Sequence, residues 1–125
     1  KTYVVTEEGK LIEVVEGMNY TGLKQIPKIS GFNDLKAVEE LAGQYASIPV
    51  TIRNAVSDIV YYPEKGYDGR VALILDDGKK LIVDIEDMKD TLSPSRFNYS
   101  AYMQSKRDIC VFSFEGRNLY MTKCE

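Results

Sequence analysis

The sequence predicts an α+β domain, a largely antiparallel, mixed sheet with two or three helices packed against it. Three observations carry that expectation. Runs rich in β-branched and aromatic residues come in three adjacent pairs, each split by a short turn-forming segment. Between the first and second pairs, Leu35, Val38, Leu41, Ala42 and Tyr45 recur at the three-and-four spacing of an amphipathic helix. The 125 residues, 44% apolar and 28% charged, suit one hydrophobic core and neither disorder nor fibre. Residues 1–125 therefore read as a single domain.

The first pair is Tyr3-Val4-Val5-Thr6 and Lys10 to Val15, parted by Glu7-Glu8-Gly9, a hairpin pattern. A connector from Gly17 to Phe32 follows, punctuated by Gly22, Pro27 and Gly31. Ile26 precedes proline and is driven toward extended backbone; Ile26, Ile29 and Phe32 are expected to reach the core. Either Asn33 or Asp34 is placed to cap the helix that begins near Leu35. Ser47 to Pro49 ends that helix, and Val50 to Ile52 reads as a short strand or a turn. Ala55 to Tyr62 is strand-like and runs into Pro63 and a loop from Glu64 to Gly69.

Arg70 to Asp76 and Lys79 to Ile85, joined by Asp77-Gly78, form the second hairpin. A two-residue loop there pairs Leu75 with Lys80, Ile74 with Leu81, Leu73 with Ile82 and Ala72 with Val83. Both faces are apolar in the middle, so these strands are expected to be central and at least partly covered on the second face. Glu86-Asp87 suit the positive end of a second helix that holds Met88 and Leu92. Ser93-Pro94 ends it, and Phe97, Tyr99 and Tyr102 mark a third helix between Ser95 and Ser105. Asp108 to Phe114 and Leu119 to Cys124, around Glu115-Gly116-Arg117-Asn118, make the third hairpin.

The chain has no histidine. That removes the Ser-His-Asp and Cys-His arrangements and the commonest general base near neutral pH, and two cysteines alone do not complete a four-ligand zinc site. No metal or cofactor is expected. A net charge of -3 and a pI near 5.1 argue against nucleic acid or anionic lipid as the main partner. Lys79-Lys80 and Lys106-Arg107, the adjacent basic pairs, read as solvated surface. The longest apolar run, Val71 to Leu75, is far short of the roughly 20 residues that span a bilayer. The chain opens at Lys1 without an initiating Met, so it reads as part of a longer protein.

Asp76-Asp77 and Glu86-Asp87 are the carboxylate pairs that acid-base hydrolysis would require, but a turn and a helix start already account for them. Gly22 and Gly66-Tyr67-Asp68-Gly69 lack a phosphate-cradling pattern and read as turns. An enzyme or small-ligand domain is the competing class, with a pocket near Phe97 to Tyr102 lined by convergent polar groups as its mark.

Cys110 and Cys124 leave two readings open. With the three-residue loop Gly116-Arg117-Asn118 they face each other, whereas a two-residue loop makes them diagonal neighbours. A disulfide is one reading; a buried Cys110 and a frayed Cys124 is the other. A chain closing on a strand tends to leave a sheet edge free for strand addition. Leu119 and Met121 fall on one face of that strand and Tyr120 and Thr122 on the other, so apolar side chains either await an incoming strand or fill the core while Lys123 guards the edge.

The order of these elements resembles the extracytoplasmic β domain of the bacterial division proteins FtsQ and DivIB. Tyr3 to Val15 is similar to that domain's opening hairpin, Ile26-Pro27-Lys28-Ile29-Ser30-Gly31-Phe32 to its connector and Val56-Ser57-Asp58-Ile59 to its next strand. Arg70 to Gly78 followed by Leu81-Ile82-Val83 is similar to its most recognisable hairpin, and Asp108-Ile109-Cys110-Val111 to the start of its penultimate strand. Cys110 stands where the family often has aspartate, and Ser93 to Arg107 follows the family helix only loosely. The resemblance implies a non-enzymatic divisome scaffold on the extracytoplasmic face of the membrane at the septum. It implies a parent with a cytoplasmic tail, one transmembrane helix and a POTRA domain before this segment. It further implies FtsB/DivIC and FtsL type partners, docked by strand addition on Gly116, Arg117, Asn118, Leu119, Tyr120, Met121 and Thr122, and a share in controlling septal peptidoglycan synthesis.

Overall fold

The computed structural model describes residues 3–5, 10–13, 27–64, 66 and 68–125. Apolar residues crowd the central strands because those strands are flanked on both sides: β4 (Val56–Tyr61), β5 (Arg70–Leu75) and β6 (Lys80–Asp84) occupy the middle of an eight-stranded sheet. Outward on one side lie β3 (Lys28–Ser30), β1 (Tyr3–Val5) and β2 (Leu11–Glu13); on the other lie β7 (Ile109–Glu115) and β8 (Asn118–Lys123). The order is β2-β1-β3-β4-β5-β6-β7-β8. Two contacts, β3 with β4 and β6 with β7, are parallel, and the remaining five are antiparallel.

Parallel neighbours require a crossover, and the helices supply both. Helices α1 (Leu35–Tyr45) and α2 (Val50–Arg53) connect β3 to β4; a 3-10 turn (Ile85–Asp87), α3 (Met88–Thr91) and α4 (Tyr99–Ser105) connect β6 to β7. Asp34 is the cap of α1, its Oδ1 accepting from the Lys36 N–H at 3.0 Å. Val38, Leu41, Ala42 and Tyr45 are buried as the periodicity predicts, while Leu35 is exposed. These side chains, with Ile52, Met88, Leu92 and Phe97, close over Ile29, Ile59, Leu73, Leu81 and Phe112 to form one core.

The helices and one strand register differ from the sequence expectation. Val50–Arg53 is helical, following Pro49 at its N-cap, rather than a strand or turn. The second helix begins as a 3-10 turn, and the third is the shorter Tyr99–Ser105, where the Asn98 side chain accepts from the Ala101 N–H at 3.1 Å. The β5–β6 register is one residue from the expected one: Leu73 faces Leu81, Ala72 faces Ile82 and Val71 faces Val83. Its cause is a three-residue loop, Asp76-Asp77-Gly78, in which Leu75 N–H donates to Lys79 O at 2.8 Å and Gly78 takes a φ of 91°. Of the two loops open to the last hairpin, the structure has the two-residue one, Gly116-Arg117, with Glu115 opposite Asn118.

The second face of the sheet is partly covered in its middle, as the apolar residues on both faces predict. Ala72, Ile82 and Arg70 are buried on it, while among the described residues the helices contribute to the core on the opposite face. Expectations for Ile26, Gly17, Gly22, Lys65, Tyr67 and the outer parts of the first hairpin, 6–9 and 14–15, fall outside the described residues.

Candidate partner-binding edge

Among the described residues, strand β8 has a hydrogen-bonded neighbour on one side only. Its position can be read along one row of residues that crosses the sheet: Ile29, Ile59, Leu73, Leu81, Phe112 and Met121 stand side by side in the paired register. The first five are fully buried under the helices, and Met121 is 42% exposed. The last helical cover lies over β7, where Phe97 and Tyr102 meet the Phe112 ring at 6.1 and 6.0 Å. Met121 therefore extends the core row beyond its roof. Leu119, beside buried Phe114, is half-buried against the same core, whereas Tyr120 on the opposite face is 53% exposed.

The backbone of β8 is equally polarised. A two-residue turn makes Glu115 and Asn118 the hydrogen-bonded pair that closes the hairpin, and such pairs alternate along an antiparallel ladder. Leu119 and Met121 therefore aim their N–H and C=O groups away from β7, toward the open edge. Gly116 and Arg117 form the turn, and Asn118, Tyr120 and Thr122 make the inward bonds to β7.

The hairpin is held at both ends. At the open end, a bulge between Ile109 and Val111 leaves Cys110 without an opposite residue, and a disulfide joins it to Cys124 across a Cα–Cα distance of 4.9 Å. Ile109 and Phe112 both reach the core, a spacing of three that only a bulge permits in a strand. At the turn end, Arg70 reaches from β5 across β6: one Nη2 donates to Ser113 Oγ and to Phe114 O, each at 2.8 Å. Its Nη1 lies 3.4 Å from Glu115 and its Nε 3.4 Å from Glu64. In the sequence this fully buried cation marks only the start of a strand; its partner across the hairpin, Asp84, emerges once the register is known.

Among the other candidate residues, Glu86 and Asp87 share a groove with Gly116 at the turn of this hairpin. The groove is open, about 580 Å³, and is also lined by Glu40, Asp68, Asp84 and Glu115. Burial raises the Asp84 carboxyl above its ordinary value, Arg70 opposes that, and Asp87, Glu86 and Glu115 add to it. Asp76 and Asp77 sit in the β5–β6 loop, where Asp77 Oδ1 accepts from the Lys79 N–H at 3.0 Å. Among the described residues, no three His, Cys, Asp or Glu side chains converge as a metal site would require. Phe97 is a core residue stacked on Tyr102 at 5.0 Å, and the hollow beside it, about 250 Å³, is smaller than the usual ligand pocket. Burial, then the charges of Asp77 and Asp76, push the Tyr99 hydroxyl upward and keep it neutral.

Among the described residues no helix is long and apolar enough to cross a membrane. The family model for the C-terminal region of cell division protein FtsQ/DivIB matches residues 1–110. Cell division protein DivIB of Geobacillus kaustophilus is 32% identical over 91 residues, and that of Weissella koreensis 30% identical over 94, covering 73% and 74% of this chain. The matches span 34% and 32% of those relatives' own lengths. The solved major extracytoplasmic domain of DivIB from Geobacillus stearothermophilus superposes with a TM-score of 0.59 at 27% identity, covering 82% of each chain. By the family match, the shared sheet and the shared sequence, this chain belongs to the FtsQ/DivIB C-terminal family of cell division proteins.

Proposed function

We propose that this domain is a non-enzymatic scaffold of the division machinery and that its working surface is the edge of β8. The observation that carries the reading is the exposed end of the core row: Met121 is 42% exposed, with Tyr120 on the other face 53% exposed, on a strand that has one free side among the described residues. An added strand would take up the outward backbone groups of Leu119 and Met121 and cover Met121 as Phe112 is covered. Gly116, Arg117, Asn118, Leu119, Tyr120, Met121 and Thr122 form the surface. The partners are division proteins of the FtsB/DivIC and FtsL type, and the domain works on the extracytoplasmic side at the septum, held to the membrane by a helix of the parent protein. Through those partners it helps control septal peptidoglycan synthesis.

Titration calorimetry with a soluble extracytoplasmic segment of a DivIC-type partner tests this. Tyr120→Ala removes apolar contact, and Met121→Pro removes an outward N–H while sparing the inward ladder. Both are expected to weaken binding at least tenfold while the circular dichroism and melting of the domain stay near the parent's. Undiminished affinity in either folded variant would overturn the assignment.

A further inference from the structure

Strand β8 draws little of its hold from burial. Five of its six residues are exposed and Leu119 alone is half-buried, so its place depends on one hydrogen-bonded ladder, the turn, and the Cys110–Cys124 bridge. The bridge closes the open end of the hairpin with a separation of 14 residues, and next to it the Cys124 N–H donates to Asp108 O at 2.8 Å. Cys124 is exposed and Cys110 half-buried, so the bridge lies at the surface of the domain. Residues 1–125 hold no third cysteine. The family match stops at residue 110, and Cys124 lies beyond it.

We propose that the Cys110–Cys124 disulfide is a redox-addressable clasp on the docking strand, opened by a dithiol of the thiol-disulfide oxidoreductase class. A thiolate of the dithiol bonds to Cys124 Sγ, the protein S–S bond breaks, and Cys110 leaves as a thiolate that takes up a proton. The second thiol of the reductant then displaces Cys124, which also ends as a thiol. The reductant departs as a disulfide, having given two electrons and two protons to the domain. With the clasp open, the end of β8 is held by its ladder alone and must be ordered again by each incoming strand. Fixing one further residue costs about tenfold in affinity. The affinity consequence rests on the strand-addition reading proposed above; the accessibility and ordering consequences do not.

The test compares the oxidised domain, the dithiol-reduced domain and the Cys110→Ser/Cys124→Ser double variant. Reduction without denaturant, followed by alkylation, is expected to add two labels. Amide exchange at the inward N–H groups of Tyr120 and Thr122, and at position 124, is expected to quicken about tenfold or more in the reduced and double-serine forms, while β5 and β6 stay unchanged. Affinity for the soluble DivIC-type segment is expected to fall about tenfold in both. A bridge that resists the dithiol in the native domain, or unchanged exchange in β8, would refute the clasp. Unchanged affinity on reduction, while Tyr120→Ala still weakens binding, would refute its link to docking and leave the strand-addition reading intact. An oxidised domain that binds no segment would remove the strand-addition reading, and amide exchange would then decide the clasp alone.

Discussion

Arg70 is a guanidinium fully excluded from solvent, and its contacts explain how that is tolerated: Ser113 Oγ and Phe114 O accept at 2.8 Å, and Glu64 and Glu115 carboxylates lie 3.4 Å away. Those carboxylates are 43% and 36% exposed, so water screens much of the ion pairing and the neutral acceptors matter more. Arg70→Met should therefore lower stability by about 2–4 kcal/mol, from unsatisfied acceptors and lost bridging of β5 to β7, read as a shift in the urea midpoint with an unchanged slope. Arg70→Lys should recover only part of this, because an ammonium cannot reach two acceptors and a carboxylate in one plane. Asp84, opposite Arg70, gives a prediction about pH. Burial raises its folded pKa more than Arg70 lowers it, so its protonated form is favoured in the folded state. Stability from this group is full below the unfolded carboxylate value and lost as pH rises through the raised folded value. Asp84→Asn should thus gain on the parent as pH rises from about 4 to about 7, a trend that parallel denaturation series would reveal.

At the scale of single elements, two turns with the same backbone sign make different demands. Gly78 has φ 91° with nothing within 4 Å of an added Cβ, so Gly78→Ala should cost about 1–2 kcal/mol in backbone strain alone. Gly31 has φ 88°, and its added Cβ would lie 3.3 Å from Tyr61 Cβ and 3.4 Å from Tyr61 N on β4. Gly31→Ala should cost more, about 2–4 kcal/mol, because backbone crowding adds to strain; the two melting curves side by side check the order. The Pro27-to-Gly31 segment is thus fixed by close approach to β4, whereas the Gly78 loop is free to accept other lengths. That freedom explains why helix α1 was legible and the β5–β6 register was not. Eleven residues of consistent spacing mark α1, but Asp76-Asp77-Gly78 suits loops of two residues or three, and the Asp77–Lys79 contact decides between them only in three dimensions. The bulges had a local signal, apolar residues three apart at Val56 and Ile59 and again at Ile109 and Phe112. The role of Arg70 had none, because its acceptors belong to β7, which reaches β6 only through the parallel crossover.

Across the whole molecule, the row from Ile29 to Met121 separates residues that hold the domain together from those that face outward. Leu73 and Phe112 are fully buried, with strands on both sides and helices above, so their loss removes apolar contact and leaves a cavity. Leu73→Ala and Phe112→Ala should each cost about 3–4 kcal/mol in equilibrium unfolding. Met121→Ala, two positions from Leu81 along the same row, should cost less than about 1 kcal/mol, since solvent already reaches the side chain and no roof collapses. Binding should show the opposite order. A strand laid against β8 would put Met121 into the setting Phe112 already has, so Met121→Ala should weaken affinity for the partner segment several-fold, and Leu73→Ala, measured where it remains folded, should leave it nearly unchanged. If Met121→Ala instead destabilised the domain as much as Leu73→Ala and left affinity intact, Met121 would belong to the core, and the outer boundary of the folded unit would lie beyond β8 rather than at it.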